Sequence, residues 1–268
     1  MLLQELVNKS WYGTIGYISS EEDISLLERY ILYNLSILNE FSNIVIATNY
    51  KDESTLKAFS SINDSLWKKY FPKCVTITSK INRGHNHGYT DLDNLVFDYC
   101  KSNNIKWLCK GANDITLEEK ILKYEIPKSD FYYLNGIGKG GMLSYNCDYD
   151  LIIEKDFYPQ TNFYFIDTSK VDYLNDKDYL DETYKYIKSL PSYNGMIWNY
   201  IKGWTCEDFL KQAVQRNNLT THHLIPETPY RKLLDHVSRA NIHDPSHKNI
   251  LIEGICHLAF PDKPVIKI

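Results

Sequence analysis

Several short stretches of the chain combine acids, amides and imidazoles at spacings that could do chemistry. Ala112-Asn113-Asp114 follows the apolar run Ile105 to Cys109, so a carboxylate stands beside a carboxamide where a buried strand would stop. In open α/β sheets the ends of buried strands are where ligands and metals collect. Asp114 could simply cap a helix. Thr116 and Glu119, however, read as a T-x-x-E capping box for the next segment, which leaves Asn113 and Asp114 facing the strand end. Asp114 is then a candidate ligand for a hard cation, and Asn113 can add a carbonyl oxygen.

A second acidic pair, Glu207 and Asp208, lies in Trp204-Thr205-Cys206-Glu207-Asp208 at the opening of a helix. A carboxylate there could take a proton from a hydroxyl. The structural alternative is a T-x-x-D capping box formed by Thr205 and Asp208, with acids favoured in any first helical turn. His85-Asn86-His87 with Asp91 has the form of an H-x-H…D ligand set, although Gly84 and Gly88 argue for a loop. His243-Asp244-Pro245-Ser246-His247-Lys248 is the densest polar cluster near the C-terminus. His243 and His247 stand i, i+4 and could share a metal on a helix, but Pro245 favours a loop. Gly136 to Gly141 lacks the G-K-[ST] of a phosphate-binding loop, and His222 and His223 follow a helix as its exit.

These groups need a scaffold, and the hydrophobic pattern supplies one. Trp11 to Ser19 reads as a first strand, and Ser20 with Asp23 caps a helix whose apolar face is Ile24, Leu27, Ile31, Leu35 and Leu38. Asn43 to Thr48 is a second strand, Asp52 to Tyr70 a weaker helix, and Cys74 to Thr78 a third strand. A helix beginning near Asp91 buries Leu92, Leu95, Val96, Tyr99 and Cys100, and the strand Ile105 to Cys109 follows. Repeated strand–helix alternation predicts an α/β fold, with a mostly parallel sheet covered by helices on both faces. Further on, Phe131 to Leu134 and Asn162 to Ile166 read as strands; Asp181 to Ser189, Cys206 to Arg216 and Thr228 to Arg239 read as helices. No repeat or Gly/Ser-rich linker divides the 268 residues, so one domain with an elaborated second half is expected.

A net charge of −4 and the lack of a Lys/Arg stripe argue against a nucleic-acid binder. The six cysteines are scattered without C-x-x-C, which favours reduced, buried thiols. With no signal region and no apolar run near ~18 residues, a soluble cytoplasmic protein is expected. The 22 tyrosines accord with an AT-rich coding sequence; tyrosine-lined sugar pockets are the alternative.

A first strand with a polar end, the loop Asn82-Arg83-Gly84 before a helix, and then a strand ending in acid resemble the GT-A glycosyltransferases over roughly the first half of the chain. The resemblance implies a Rossmann-like fold with a nucleotide-sugar-binding half (about residues 1–125) and an acceptor-side half (about 126–268). It implies sugar transfer from a nucleotide-sugar donor to a glycan or other hydroxyl acceptor, with inversion. Ser19, Glu21 and Asn49 would lie near the nucleotide; Asn82, Arg83 and Asn113 would border ribose and diphosphate. Asp114 would hold Mn²⁺ or Mg²⁺, His243 would add a metal ligand, and Lys248 would hold the diphosphate. Glu207 or Asp208 would be the base. The family's D-x-D reads Ala112-Asn113-Asp114 here, with one acid only. Two other readings stand beside this one: a metal-dependent hydrolase built on His85, His87 and Asp91, and a non-catalytic binding protein of the same fold.

Overall fold

The chain opens with a short helix that the sequence pattern does not announce, α1 (Leu3–Val7), and then enters the strand–helix alternation that it does. The elements are β1 (Ser10–Ile18), α2 (Glu21–Leu38), β2 (Asn43–Tyr50), α3 (Glu53–Tyr70), β3 (Val75–Thr78), α4 (His85–Ser102) and β4 (Trp107–Ala112). There follow β5 (Ile115–Leu117), a short 3-10 helix (Glu119–Lys123), β6 (Phe131–Asn135), β7 (Pro159–Asp167), α5 (Lys177–Ser189) and α6 (Cys206–Arg216). The last elements are β8 (Thr221–His223), β9 (Asn249–Leu251), β10 (Ile255–His257) and β11 (Val265–Lys267). This computed structural model describes residues 1–112, 115–135, 157, 159–189, 205–224, 249–251, 255–257 and 265–267. Gly136 to Gly141 and the helix expected from Thr228 to Arg239 lie outside that set.

Seven strands form one sheet in the order β3-β2-β1-β4-β7-β6-β8. The first four are mutually parallel, and β7 runs antiparallel to both β4 and β6. The fold is thus the expected α/β arrangement. Tyr12, Ile44 and Ile46 meet Leu27, Ile31 and Trp67 of α2 and α3 on one face. On the other face Ile15, Val45 and Leu108 meet Val96, Phe97 and Cys100 of α4 with Leu210 and Val214 of α6. Burying apolar stripes on both sides is what makes a parallel sheet of near-continuous hydrophobic strands stable.

Two glycines let these layers close. A Cβ on Gly111 would lie 1.7 Å from the Tyr12 hydroxyl, and one on Gly13 would lie 2.5 Å from Val96 Cγ1 and 2.7 Å from Leu108 Cδ1. Gly111 therefore reads as space for a neighbouring ring, not as a loop signal.

Local signals account for the helix starts. The amide of Asp23 donates to Ser20 Oγ at 3.3 Å, while the Asp23 carboxylate accepts from the Ser20 amide at 3.0 Å. Thr205 and Asp208 form the same reciprocal box at α6. Asp52 caps α3 by accepting from the Thr55 amide at 2.9 Å.

Three expectations need correction. The strand does not stop at Cys109: Lys110, Gly111 and Ala112 are all within β4 and buried. α4 starts at His85, about two turns before Asp91, because Gly84 takes φ 81° and ends the loop itself. Thr116 is not at a helix N-cap position. It lies in β5, paired with Cys256 of β10, and the 3-10 helix has Glu118 at its N-cap with no side-chain cap bond. The alternation of Ile115 and Leu117, both buried, drives the strand, and Asn34 secures it by accepting from the Leu117 amide at 2.7 Å and donating to the Ile115 carbonyl at 2.9 Å. The N-cap at Glu118 means that no Thr116 cap accounts for the placing of Asp114.

Candidate functional site

The chain passes from β1 outward through β2 to β3, then returns through α4 to place β4 on the other side of β1. A reversal of this kind splays the connections on either side and opens a crevice at the carboxyl ends of β1 and β4. Asn113 and Asp114, the first residues past β4, lie outside the described residues, as do His243 and Lys248.

The described candidates cluster around that same edge. Ser19 follows β1 directly; its amide and hydroxyl both donate to Asp23, at 2.7 and 2.8 Å. Glu21 opens α2 and is exposed. Asn49, near the end of β2, is buried and donates to the Ile81 carbonyl at 3.1 Å. Asn82 donates to the Tyr50 carbonyl at 3.1 Å and accepts from the Gly84 amide. The two amides thus tie the 79–84 loop to the end of β2. Arg83 turns away from the strands: its Nε lies 3.1 Å from Asp91, its Nη1 pairs with Asp181, and the guanidinium lies over the Tyr184 ring.

The structure separates the two acids of α6. Asp208 is engaged in the helix cap, accepting from the Thr205 amide at 3.2 Å and hydroxyl at 3.0 Å. Glu207 faces the sheet, where its Oε1 accepts from the Thr161 hydroxyl at 3.1 Å. Gly111 lies opposite Phe163 in the antiparallel β4/β7 pair, so Thr161, two residues earlier in β7, stands beyond Ala112. The Glu207 carboxylate is therefore held at the edge where β4 runs into Asn113 and Asp114. Cys206 is buried against it, Sγ 3.2 Å from Glu207 Oε2, and burial raises its thiol well above the usual range.

Beneath that carboxylate lies a charged cluster that sequence reasoning missed. Lys110 and Asp93 are both buried, with Nζ 3.2 Å from Asp93 Oδ1. The same ammonium donates to the Tyr89 hydroxyl at 2.8 Å and lies 4.5 Å from the centre of that ring. Tyr89 in turn donates to the Thr161 carbonyl at 2.8 Å. Burial pushes Asp93 up to about 6, against the pull of Lys110, and Tyr164 adds a hydrogen bond. A lysine inside the apolar run Trp107-Leu108-Cys109-Lys110 was the available signal.

Among the described side chains the H-x-H…D hydrolase centre is not assembled. His85 and His87 are in the first turn of a helix and not on a strand, so the alternation that puts residues two apart on one face does not apply. His87 is buried between Tyr184 and Phe209, its Nε2 2.9 Å from the Thr183 hydroxyl, and burial lowers its pKa to about 4. Asp91 is occupied by Arg83, and burial raises it to about 6. The His85 side chain is not among the described ones. His222 and His223 are in β8 and pack edge-on against Tyr132 and Tyr133. Among the described residues no group of three or more His, Cys, Asp or Glu could hold a metal. No helix among them is long and apolar enough to cross a membrane.

The fold and its crevice define a Rossmann-like α/β protein. No protein-family model matches the chain, and no curated protein does. Among solved structures it is similar to a nucleoside-diphosphate-sugar pyrophosphorylase from Vibrio cholerae RC9, at 10% identity over 79% of this chain and 90% of that one, with a TM-score of 0.41. It is also similar to the inositol-1-phosphate CTP transferase from T. maritima, at 10% identity over 87% and 98% of the two chains, with a TM-score of 0.42. HddC from Yersinia pseudotuberculosis matches at 11% identity over 60% and 78%, with a TM-score of 0.35.

Proposed function

We propose that the protein is a GT-A-like glycosyltransferase that moves a sugar from a nucleotide-sugar donor to a hydroxyl acceptor with inversion. One observation carries this reading. The Glu207 carboxylate is turned toward the edge where β4 ends, fixed by the Thr161 hydroxyl, while its neighbour Asp208 is engaged in the helix cap. Of the two acids, Glu207 is the base.

In this reading the acceptor hydroxyl lies between Glu207 and the donor sugar. Its oxygen attacks the anomeric carbon as Glu207 takes the proton, and the bond from that carbon to the diphosphate oxygen breaks with its electron pair. A carboxylate already positioned by Thr161 loses little freedom in that step. Ser19, Glu21 and Asn49 border the nucleotide, Asn82 the ribose and diphosphate, and Lys248 and His243 contribute from the C-terminal segment; Arg83, held by Asp91 and Asp181, takes no part. The oxygen donors of Asp114 and Asn113 suit Mn²⁺ or Mg²⁺, which when bound would offset the charge of the departing diphosphate.

Calorimetry against a panel of nucleoside-diphosphate sugars, with and without Mn²⁺, tests the proposal. Binding of at least one donor is expected, followed by release of its nucleoside diphosphate when an acceptor is added. A folded protein that binds none of them would overturn it. Donor binding without turnover, unaltered by Glu207→Gln and Asp114→Ala, would favour a binding module of the same fold.

A further inference from the structure

The hydroxyl that holds Glu207 belongs to a residue that regular strand geometry would aim elsewhere. Phe163 and Phe165 of β7 pack on the α2/α3 face, so strict alternation would send the Thr161 side chain there too. Its hydroxyl instead meets two residues of α6, Glu207 Oε1 at 3.1 Å and Cys206 Sγ at 3.5 Å. The backbone shows where the alternation breaks. The β4/β7 ladder is regular from Trp107 and Asp167 as far as Gly111 and Phe163. Between the pairs Tyr133/Tyr164 and Asn135/Pro159, however, β6 advances two residues while β7 advances five. Thr161 lies inside that irregularity, and a bulge re-aims the side chains it carries.

Side chains beneath the strand fix the re-aimed residue by its carbonyl. The Tyr89 hydroxyl donates to that carbonyl at 2.8 Å and the Lys110 ammonium at 3.5 Å, while Lys110 also donates to the Tyr89 hydroxyl at 2.8 Å. Lys110 has Asp93 as its counter-ion 3.2 Å away, so it does not need the tyrosine for neutrality. The hydroxyl's own contribution is to accept from a cation and donate onward, and a charge at the head of such a chain strengthens the next bond in a buried site.

We infer that Tyr89, backed by Lys110, is a positioning residue: it pins the Thr161 backbone so that the threonine hydroxyl holds the Glu207 carboxylate. The connection runs from α4 through β7 to α6. Cys206 adds a second hold, its thiol donating to Glu207 Oε2 at 3.2 Å. The same sulfur is an alternative acceptor for the single Thr161 hydroxyl proton, so a loosened Thr161 can turn to it and give up Glu207 Oε1. The effect on turnover rests on the transfer reading; the hold on the carboxylate does not.

The test follows the Glu207 side-chain carboxyl carbon in full-length protein labelled with ¹³C-glutamate, assigned by its loss in Glu207→Gln. Thr161→Val removes the hydroxyl and gives the shift of a released carboxylate. Tyr89→Phe keeps the ring and loses only its hydroxyl, and is expected to move the resonance in the same direction. Thr161→Ser keeps a hydroxyl and should leave the resonance near its wild-type position. Tyr89→Met repeats the loss of the hydroxyl should Tyr89→Phe fail to fold. In transfer assays Tyr89→Phe should lower kcat about tenfold or more with the donor KM unchanged, the pattern of a displaced base and not of a lost binding contact. A Glu207 resonance that keeps its wild-type position in the folded Tyr89 variant would overturn the proposal, whatever the turnover. If the wild type turns over no donor, the transfer reading fails, and the resonance still decides for or against Tyr89.

Discussion

On the α4/α6 face of the sheet, Lys110 and Asp93 are buried as an ion pair, and the ammonium is also tied to Tyr89. On the α2/α3 face, Thr14 and Trp67 are equally buried but uncharged, and they bond to nothing. The two regions stand on neighbouring strands, Gly13 lying opposite Lys110 and Thr14 opposite Gly111. Charge explains the difference. A buried ion costs far more to desolvate than a neutral hydroxyl or indole, so a folded chain must supply its counter-ion, whereas the neutral groups carry a smaller penalty. The connected face therefore reads as scaffold beneath Glu207.

The sharpest way to break this comparison is to remove one partner of the charged face. Lys110→Met leaves Asp93 buried without its counter-ion, and a loss of about 3–5 kcal/mol in guanidinium unfolding is expected. The double variant Lys110→Met/Asp93→Leu should recover most of it. If Lys110→Met costs no more than an ordinary surface change, the pair is not the scaffold claimed here.

Next in size is the contrast between the acids of α6. Glu207→Gln should lower transfer by about 10²–10⁴-fold with unchanged unfolding, because it removes a base and no cap. Asp208→Asn should do the reverse, costing about 0.3–1 kcal/mol of stability at the helix N-terminus while most turnover survives. Equal losses of turnover in the two variants would undo the assignment.

Packing on the two faces separates the glycines. Gly111→Ala drives a methyl into the Tyr12 ring, whose hydroxyl is bonded to Tyr30, so the ring cannot swing aside. A cost at or above about 1–3 kcal/mol is expected. Gly13→Ala meets Val96 Cγ1 at 2.5 Å and Leu108 Cδ1 at 2.7 Å, a smaller overlap than the 1.7 Å at Gly111, and should cost less. Thermal unfolding of the two variants side by side decides it.

The parts of this architecture that were legible in the sequence are those whose physics is local. Ser20/Asp23 and Thr205/Asp208 announce their helices because a capping box needs only four residues, and α6 begins and ends where its periodicity says. The strand–helix alternation gave the parallel half of the sheet for the same reason. What stayed hidden depends on distant partners. β5 exists because β10 and Asn34 hold it, and three residues in sequence cannot show that. Lys110 looked like the polar end of a strand because its counter-ion is a helix away, on a side of α4 otherwise apolar. In the candidate site, the acid pair of α6 was visible, but which acid faces the sheet was not. That choice depends on Thr161, which antiparallel pairing brings alongside from the second half.

The smallest expected effect concerns two titrating groups on α4 that act in opposite directions. Burial holds His87 down at about 4, below its ordinary 6.5, so as pH falls the unfolded chain takes up the proton first. The stability His87 supports is present above about pH 6.5 and is lost as pH falls through 4. Asp91 is raised to about 6 from 3.8, so its contribution is present below its ordinary value and is lost as pH rises through 6. Between those limits the His87 contribution opposes that of Asp91 and that of Asp93, which burial also raises to about 6, so the wild-type curve is the balance of the three. His87→Gln removes the first term alone, so unfolding free energy should then rise on acidification from about pH 7 to about pH 4.5 more than it does in the wild type. Urea melts across that range check the sign. A variant whose stability falls more steeply than wild type would mean that His87 is charged in the folded protein, and that the face it packs against is not as dry as its neighbours Tyr184 and Phe209 require.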